Sequence, residues 1–419
     1  MSSISLLMLQ NATVIPHIFL LACIGVLLFP SYYSTDFDVH RNWLSITRHL
    51  PLREWYFDTQ DGKTVHTLDY PPMFAYFEAF LSNNYITRNI LEDKLTLVDV
   101  RCFQMLPDSD NLVTDNCIAF HRSTVIVSYA IYIVGAAYVA KVVSFVWHEK
   151  NKDLSPSPTA YAIIMTLLTF NPGLIFLDFV HFQYNGLLLG ILLLSVGFIT
   201  QAGIHPYRFI HHDILGAAAF AFLLGMKHLY LSLGPLYFTY LLRHYCFRRK
   251  TVNNKNNLGG NKMQQIYSTD GENSAIQFSL LRFFQLTLVT LVILFLPYIP
   301  IIVFTSSPTE QLKQIFSRLF PFGRGLVHEY WAGNIWAIYM YFSKCLRSLS
   351  YRGSFLLQTP FNDGLPDITP AVSAVLSLIS LAPALFCAYK VAAISLQKPL
   401  QTPLFFLHAT VSEWLFFGI

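Results

Sequence analysis

Apolar and polar positions in this chain come in blocks. Apolar runs occupy 14–30, 123–147, 161–179, 186–200, 281–304 and 371–393, with a broken run at 214–242, a short one at 335–349 and a last one opening at 403. A hydrocarbon core about 30 Å thick needs about 20 apolar residues in helical form. The blocks therefore predict an all-α fold, a polytopic transmembrane helical bundle forming a single membrane domain over 1–419, and no fixed-period repeat is visible. The run at 14–30 has no basic residues before it and no Ala-x-Ala site after it, so it reads as a retained signal anchor.

The polar blocks carry the organisation. The first, 31–122, is far too long for a hairpin loop and is expected to be functional. Within it a helix is predicted from Asp36 through His49, with Phe37, Trp43, Leu44 and Ile46 on one face and Pro51 as its stop. A second helix is predicted over 73–82 behind Pro71 and Pro72, both helices amphipathic and lying at the membrane interface. The block 243–280 opens with Arg243, Arg248, Arg249, Lys250 and Lys255 and continues rich in Gly, Asn and Ser, a flexible basic loop. Basic short loops face the cytosol. Counting back through spans two to six, 123–242, makes 31–122 a large first luminal loop, and the turn at Lys150 falls on the cytosolic side by the same count. The span 281–304 then leads to a second luminal loop, 305–335, and 336–419 holds the remaining spans. Their sidedness stays open by one crossing, because 335–349 is short.

Composition sharpens this picture. Of 419 residues, 54% are hydrophobic and only 12% charged, against about a quarter charged in an ordinary soluble domain. The net charge of +4 is small. No P-loop, dinucleotide turn, His-Glu-x-x-His or nucleophile elbow is present, and no nucleic-acid module, so no nucleic-acid partner is expected. Six cysteines show no Cys-x-x-Cys or Cys/His ligand spacing, so neither a metal nor a cofactor is expected. Cys23 and Cys387 lie in apolar runs and read as packing residues; Cys102 and Cys117 lie in the first polar block and can bridge if it faces an oxidising lumen. The sequon at Asn11 falls on the cytosolic side.

Each candidate for chemistry has a plainer reading beside it. Asp36 and Asp38 can serve as general base and supporting acid for a hydroxyl nucleophile, or Asp36 can cap a helix whose positive end Asp38 favours. Asp69 can hold substrate hydroxyls or cap the second helix. His181, Gln183, Tyr184 and Asn185 can read a sugar or form a polar turn. Lys227, with His228, interrupts an apolar run, where an ionisable group is expensive and marks function by default; if the chain turns there, both side chains snorkel to water. Arg318 and Arg324 suit phosphate oxygens, and equally suit interfacial anchoring.

Six stretches taken together change these odds: Ser34-Thr-Asp-Phe-Asp-Val-His-Arg-Asn-Trp43, Pro51-Leu-Arg-Glu-Trp-Tyr56, Leu68-Asp-Tyr-Pro-Pro72, His181-Phe-Gln-Tyr-Asn185, Phe316-Ser-Arg-Leu-Phe-Pro-Phe322 and Tyr330-Trp-Ala-Gly-Asn-Ile-Trp336. As an ordered set they resemble the endoplasmic-reticulum glucosyltransferases that use dolichyl-phosphate glucose. The first stretch looks like the branch that adds the second glucose, in α-1,3 linkage, to the lipid-linked oligosaccharide. A sister branch adds the first glucose and usually reads Gly-Asp-Phe-Glu-Ala-Gln-Arg-His-Trp there, and it remains the alternative.

The resemblance implies a GT-C glycosyltransferase architecture in the endoplasmic-reticulum membrane with its active site facing the lumen. It further implies inverting transfer without a required metal, dolichyl-phosphate glucose as donor, a dolichyl-diphosphate oligosaccharide as acceptor, and Asp36 as the base. Asp38, His40, Arg41, Trp43, Asp69, Tyr70, His181, Gln183, Tyr184 and Asn185 become acceptor-side candidates. Lys227, His228, Arg318 and Arg324 become candidates for balancing the phosphate, on physical grounds the resemblance leaves open. Similar enzymes continue with a Phe-Gly-aromatic-His-Val-His-Glu-Lys segment and further spans, whereas this chain reads Ser412-Glu-Trp-Leu-Phe-Phe-Gly-Ile419. The expectation is a C-terminally truncated form, with an inactive short isoform or a non-enzymatic membrane protein as the different-class alternative.

Overall fold

The computed structural model describes residues 3–57, 66–83, 100–105, 113–149, 158–204, 211–249, 276–320, 335–351 and 364–395. It is overwhelmingly helical. The helices are α1 (Ser3–Leu27), α2 (Thr35–His49), α3 (Pro72–Leu81), α4 (Asp115–Glu149), α5 (Pro158–Thr169), α6 (Asn185–Ile204), α7 (His212–Met226) and α8 (Gly234–Leu241). They continue with α9 (Leu280–Phe295), α10 (Tyr298–Val303), α11 (Pro308–Leu319), α12 (Ile335–Tyr351) and α13 (Pro370–Ser395). Among the described residues four stretches are long and apolar enough to cross a membrane: Asp115–Ser144, Pro158–Val180, Asn185–Ala202 and Pro370–Lys390. Val14–Leu27, His212–Met226 and Leu280–Phe295 are shorter apolar helices.

The bundle is centred on α4 and α6, which pack along one another; α1 and α5 lie against α4, and α7 lies against α6. Two glycines explain the closeness of that central pair. A Cβ added at Gly135 would stand 2.5 Å from the carbonyl oxygen of Gly190, and one added at Gly190 would stand 2.5 Å from the backbone nitrogen of Tyr132. The two helices thus cross backbone to backbone, as small residues permit between helices in hydrocarbon. Outward faces remain apolar: α9 exposes Leu281, Phe284 and Leu288, and α13 exposes Val375, Leu378 and Ile379.

Three details depart from the pattern reading, each for a local reason. The helix expected from Asp36 has Ser34 as its N-cap, not Asp36: Ser34 Oγ accepts the amide of Asp36 at 3.1 Å. The second long helix starts at Asp115, inside what reads as loop, because Cys117, Phe120 and His121 are buried against the rest of the molecule. The otherwise helical chain also carries a small antiparallel ribbon, β1 (Phe247–Arg249) with β2 (Ile276–Phe278), at the two ends of the basic segment. Residues 250–275 lie outside the described residues. Arg243 itself belongs to a π-turn, Leu242–Cys246, with its guanidinium 5.0 Å from the Phe247 ring centroid.

The broken run at 214–242 resolves into two helices. α7 ends at Met226, Lys227 is extended (φ −146°, ψ 110°), and a 3-10 turn, His228–Leu233, leads into α8. The described parts of the first polar block fold over one end of the bundle. α2 packs on α3, and α3 packs on α7. Gln314 of α11 donates to the Tyr56 carbonyl at 3.0 Å, and the Tyr76 hydroxyl donates to the Pro297 carbonyl at 2.9 Å, joining the two polar regions.

Buried Arg122, in the first turns of α4, draws the entry segments together. It donates to the carbonyls of Leu28 (2.7 Å), Ser31 (3.1 Å), Tyr32 (3.0 Å), Val180 (3.4 Å) and Phe179. One side chain therefore ties the exit of α1, the approach to α2 and the approach to α6.

Candidate functional site

A cavity of about 360 Å³ opens where α2, the 66–70 segment, the 183–185 turn and the break at Lys227 meet. Its walls include Asp36, His40, Trp43, Asp69, Tyr70, Gln183, Tyr184, Asn185 and Lys227, all expected from the sequence, together with Val39, His66, Thr67, Phe74 and Leu188.

The local sequence explains how these groups converge. Ser34 caps α2 and also donates to the carbonyl of His181, binding the start of α2 to the 181–185 turn. With capping supplied by Ser34, the carboxylate of Asp36 is left to the cavity. The 66–70 segment is docked on α2: Asn42 Nδ2 donates to the His66 carbonyl at 2.5 Å, and Trp43 Nε1 to the Thr67 carbonyl at 3.0 Å. The Tyr56 hydroxyl donates to the Tyr70 carbonyl at 2.8 Å. Asp69 does not cap α3, whose N-cap is Pro71 with no side-chain bond; it opens into the cavity.

A continuous relay of side chains holds Asp36. Gln183 Nε2 donates to Asp36 Oδ2 at 2.5 Å, Asn185 Nδ2 donates to Gln183 Oε1 at 2.5 Å, and the same Nδ2 donates to Asp178 Oδ1 at 3.2 Å. Asp178 also accepts the amides of Asn185 at 3.1 Å and Gly186 at 2.5 Å, closing the N-terminus of α6. Asp178 thus fixes Asn185, whose Nδ2 orients the amide of Gln183 by donating to its Oε1, so one oxygen of Asp36 is engaged by a fixed donor. His181 Nε2 stands 3.4 Å from that same oxygen. The turn that brings Gln183 here needs Phe182 at φ 68°, a left-handed conformation unfavourable for a non-glycine residue. Its fully buried ring, among Phe37, His40 and Tyr184, holds it there.

The aromatic wall has its own buried pair. His40 Nδ1 lies 2.7 Å from Glu78 Oε1, with Trp43, Phe74 and Tyr184 ringing the imidazole. Burial lowers His40 to about 3, so the ring is neutral, and burial pushes Glu78 well above the carboxylate range. Asp69 exposes surface to the cavity, yet the surrounding walls desolvate it and raise its carboxyl, while Lys227 pulls the other way. Tyr184 lends the cavity its ring; its hydroxyl is engaged with Thr124 Oγ1 at 2.6 Å.

Lys227 is the cavity's cation. Its backbone amide still donates to Leu223 at 2.8 Å, and its ammonium lies 5.2 Å from the Tyr70 ring centroid. The chain both breaks at this position and presents the charge inward, so the two readings of the interrupted run are each half fulfilled.

Other expected residues lie elsewhere. Asp38 and buried Arg41 pair with one another at 3.4 Å, away from the cavity walls. His228 packs edge-on to Phe320 at 5.3 Å, and Arg318 sits on α11; neither is a wall residue. Arg324 lies outside the described residues. Asp178, Glu78, Ser34 and Phe182 were not expected. For Asp178 and Glu78 a signal existed, since each is the one carboxylate in a short apolar stretch, the same reasoning that marks Lys227.

Among the described residues, the thiol and imidazole groups close enough to share an ion are Cys102, Cys117 and His121, on the far side of α2. The Cys-x-x-x-His spacing of the last two puts them on one face of α4, a ligand-like arrangement that the sequence reading overlooked.

The sequence profile of the ALG6, ALG8 glycosyltransferase family matches residues 21–418. Similar curated proteins carry the name dolichyl pyrophosphate Glc1Man9GlcNAc2 alpha-1,3-glucosyltransferase. That of Mus musculus is 34% identical over 398 residues, covering 90% of this chain and 66% of its own length. That of Arabidopsis thaliana is 35% identical over 380 residues, covering 88% and 62%. That of Kluyveromyces lactis is 39% identical over 333 residues, covering 79% and 50%. The chain thus spans between half and two thirds of the length of these relatives.

Proposed function

The chain belongs to the ALG6, ALG8 glycosyltransferase family, and on that premise we propose that it is a glucosyltransferase of the endoplasmic-reticulum membrane with its site facing the lumen. The reaction is transfer of glucose, with inversion, from dolichyl-phosphate glucose to the monoglucosylated dolichyl-diphosphate oligosaccharide in α-1,3 linkage. The names of the relatives support this choice of acceptor over the unglucosylated one.

The observation that carries the proposal is the pairing of a held carboxylate with an ammonium in one cavity. A sugar hydroxyl is too weak an acid to attack unaided. Asp36 takes its proton as the oxygen bonds to C1 of glucose. The C1–O bond to phosphate breaks, its electron pair stays on the phosphate oxygen, and Lys227 balances the charge that develops there. Inversion requires base and leaving group on opposite sides of the sugar, which a carboxylate and a cation lining one cavity can supply. Asp69, with its raised carboxyl, and the rings of Trp43 and Tyr70 suit the acceptor's hydroxyls and apolar face.

Membranes carrying the chain, given radiolabelled dolichyl-phosphate glucose and either acceptor, test this. Transfer is expected to the monoglucosylated acceptor only, and Asp36→Asn is expected to lower it by about 10²–10⁴-fold while leaving membrane insertion unchanged. Unimpaired transfer by that variant removes Asp36 as base; transfer to the unglucosylated acceptor reassigns the reaction to the sister branch.

A further inference from the structure

On the side of α2 away from the cavity, Cys102, in the turn Val100–Phe103, meets Cys117 and His121 in the first turns of α4. Their sulfur and ring-nitrogen atoms lie within 4.8 Å of one another, and all three side chains are buried. No disulfide joins the two cysteines in this structure. His121 Nδ1 stands 2.8 Å from the carbonyl oxygen of Cys117 and 3.8 Å from its Sγ. A carbonyl oxygen only accepts, so Nδ1 carries the proton, and the same N–H lies beside the sulfur. That placement favours the thiolate of Cys117, the form that attacks a disulfide. The lone pair of the ring is then on Nε2, buried and without a hydrogen-bond partner, so a bound cation would have to take that nitrogen. Phe37, Phe103, Phe120 and Phe182 surround the imidazole, and the buried cation of Arg41 also favours the Cys117 thiolate.

We propose that Cys102 and Cys117 form a disulfide that fastens the 100–105 turn to α4 and, through that turn, to the back of α2. The turn is already held by α2: Ser45 Oγ donates to the Gln104 carbonyl at 3.2 Å, His49 Nε2 to the Phe103 carbonyl at 3.1 Å, and Arg48 lies 5.0 Å over the Phe103 ring. The bond would complete a link from the start of α4 to the helix that carries Asp36. Its oxidant rests on the luminal placement proposed above. The Cys117 thiolate attacks an oxidised dithiol–disulfide carrier, and Cys102 then displaces the carrier from the mixed disulfide. One S–S bond forms, and the two electrons and two thiol protons leave on the carrier as its dithiol.

Alkylation of membranes carrying the full chain, followed by digestion without reduction, tests the bond in place. No Lys or Arg lies between positions 102 and 117, so trypsin leaves both cysteines in one peptide, and chymotryptic cleavage after Phe103 separates them unless they are bonded. The expected result is a linked, unalkylated pair; two alkylated thiols overturn the proposal. Purified chain equilibrated in glutathione buffers of graded potential then shows which half failed. Closure there, in one two-electron step absent from Cys102→Ser, would put the fault in the luminal placement; no closure would put it in the pairing. Stoichiometric zinc that shields both thiols until chelation also overturns the proposal. Finally, Cys102→Ser, Cys117→Ser and the double variant are expected to lower the melting temperature equally, whereas independent packing thiols would add.

Discussion

Helix α2 presents two polar faces that are satisfied in different ways. On the cavity side, Asp36 and His40 bond to other side chains, Gln183 and Glu78, whose own positions are fixed by further side chains or burial. On the far side, Ser45, Arg48 and His49 donate to backbone carbonyls, of Gln104, Ser82 and Phe103. A backbone carbonyl accepts and asks nothing further, so the far face is a docking surface. The cavity face is a network with capacity left over, since one carboxylate oxygen of Asp36 faces a cavity whose cation, Lys227, is held against Tyr70. Network on one side and anchorage on the other is a division that substitutions can test.

The largest effect expected is on the chemistry itself. Asp36→Asn comes first, and Lys227→Met is expected to follow, lowering turnover by about 10²–10³-fold, the usual loss for one charge-stabilising donor. Transfer assays on membranes with matched protein levels measure both; an unchanged rate for Lys227→Met would move phosphate balancing away from the cavity. Next comes Gln183→Ala, which frees the carboxylate without removing it. A misplaced base costs up to about 10²-fold, and the loss should appear in kcat with the melting temperature little changed. If Gln183→Ala instead mainly unfolds the chain, the relay belongs with the anchoring face.

The pair His40–Glu78 sharpens the comparison through pH. His40 is held at about 3 from an ordinary 6.5 by burial, so between those values the unfolded chain binds the additional proton, and stability falls as pH drops through that window. Glu78 has the opposite sign: its raised carboxyl keeps a proton that the unfolded chain has lost, and its contribution declines as pH rises. His40→Gln should therefore flatten the acid limb of melting temperature against pH, measured in detergent; an unaltered limb would mean another group sets it. The smallest effect belongs to the far face. Ser45→Ala should cost about 1 kcal/mol of stability and leave the rate per folded molecule unchanged; a fall in kcat would erase the distinction between the faces.

Much of this was legible from residue order alone. Apolar blocks marked the long helices, because hydrocarbon thickness sets their length, and Pro51, Pro71 and Pro72 marked the limits of α2 and α3. Eight cavity residues were named from motifs spread over positions 36 to 185, and Lys227 from its charge inside an apolar run. What stayed hidden depends on partners distant in sequence. Ser34 and Asp36 are both competent caps, and only the approach of His181 decides that Ser34 takes the role. Arg41 and Asp38 satisfy one another locally, so the same motif that brings Asp36 to the cavity also holds two residues that leave it. Phe182 gives no sign of a left-handed backbone, because its stabilisation comes from the aromatic cluster around it.

The contact between Gly135 and Gly190 has a mechanical meaning. Asn185 opens α6, and one of the points where that helix bears on α4 lies at Gly190. Five residues of helix are about 7.5 Å, so the relay stands within a turn and a half of a contact that leaves α4 and α6 no slack. A side chain larger than glycine at position 135 or 190 would therefore shift α6 close to the residues that hold Asp36.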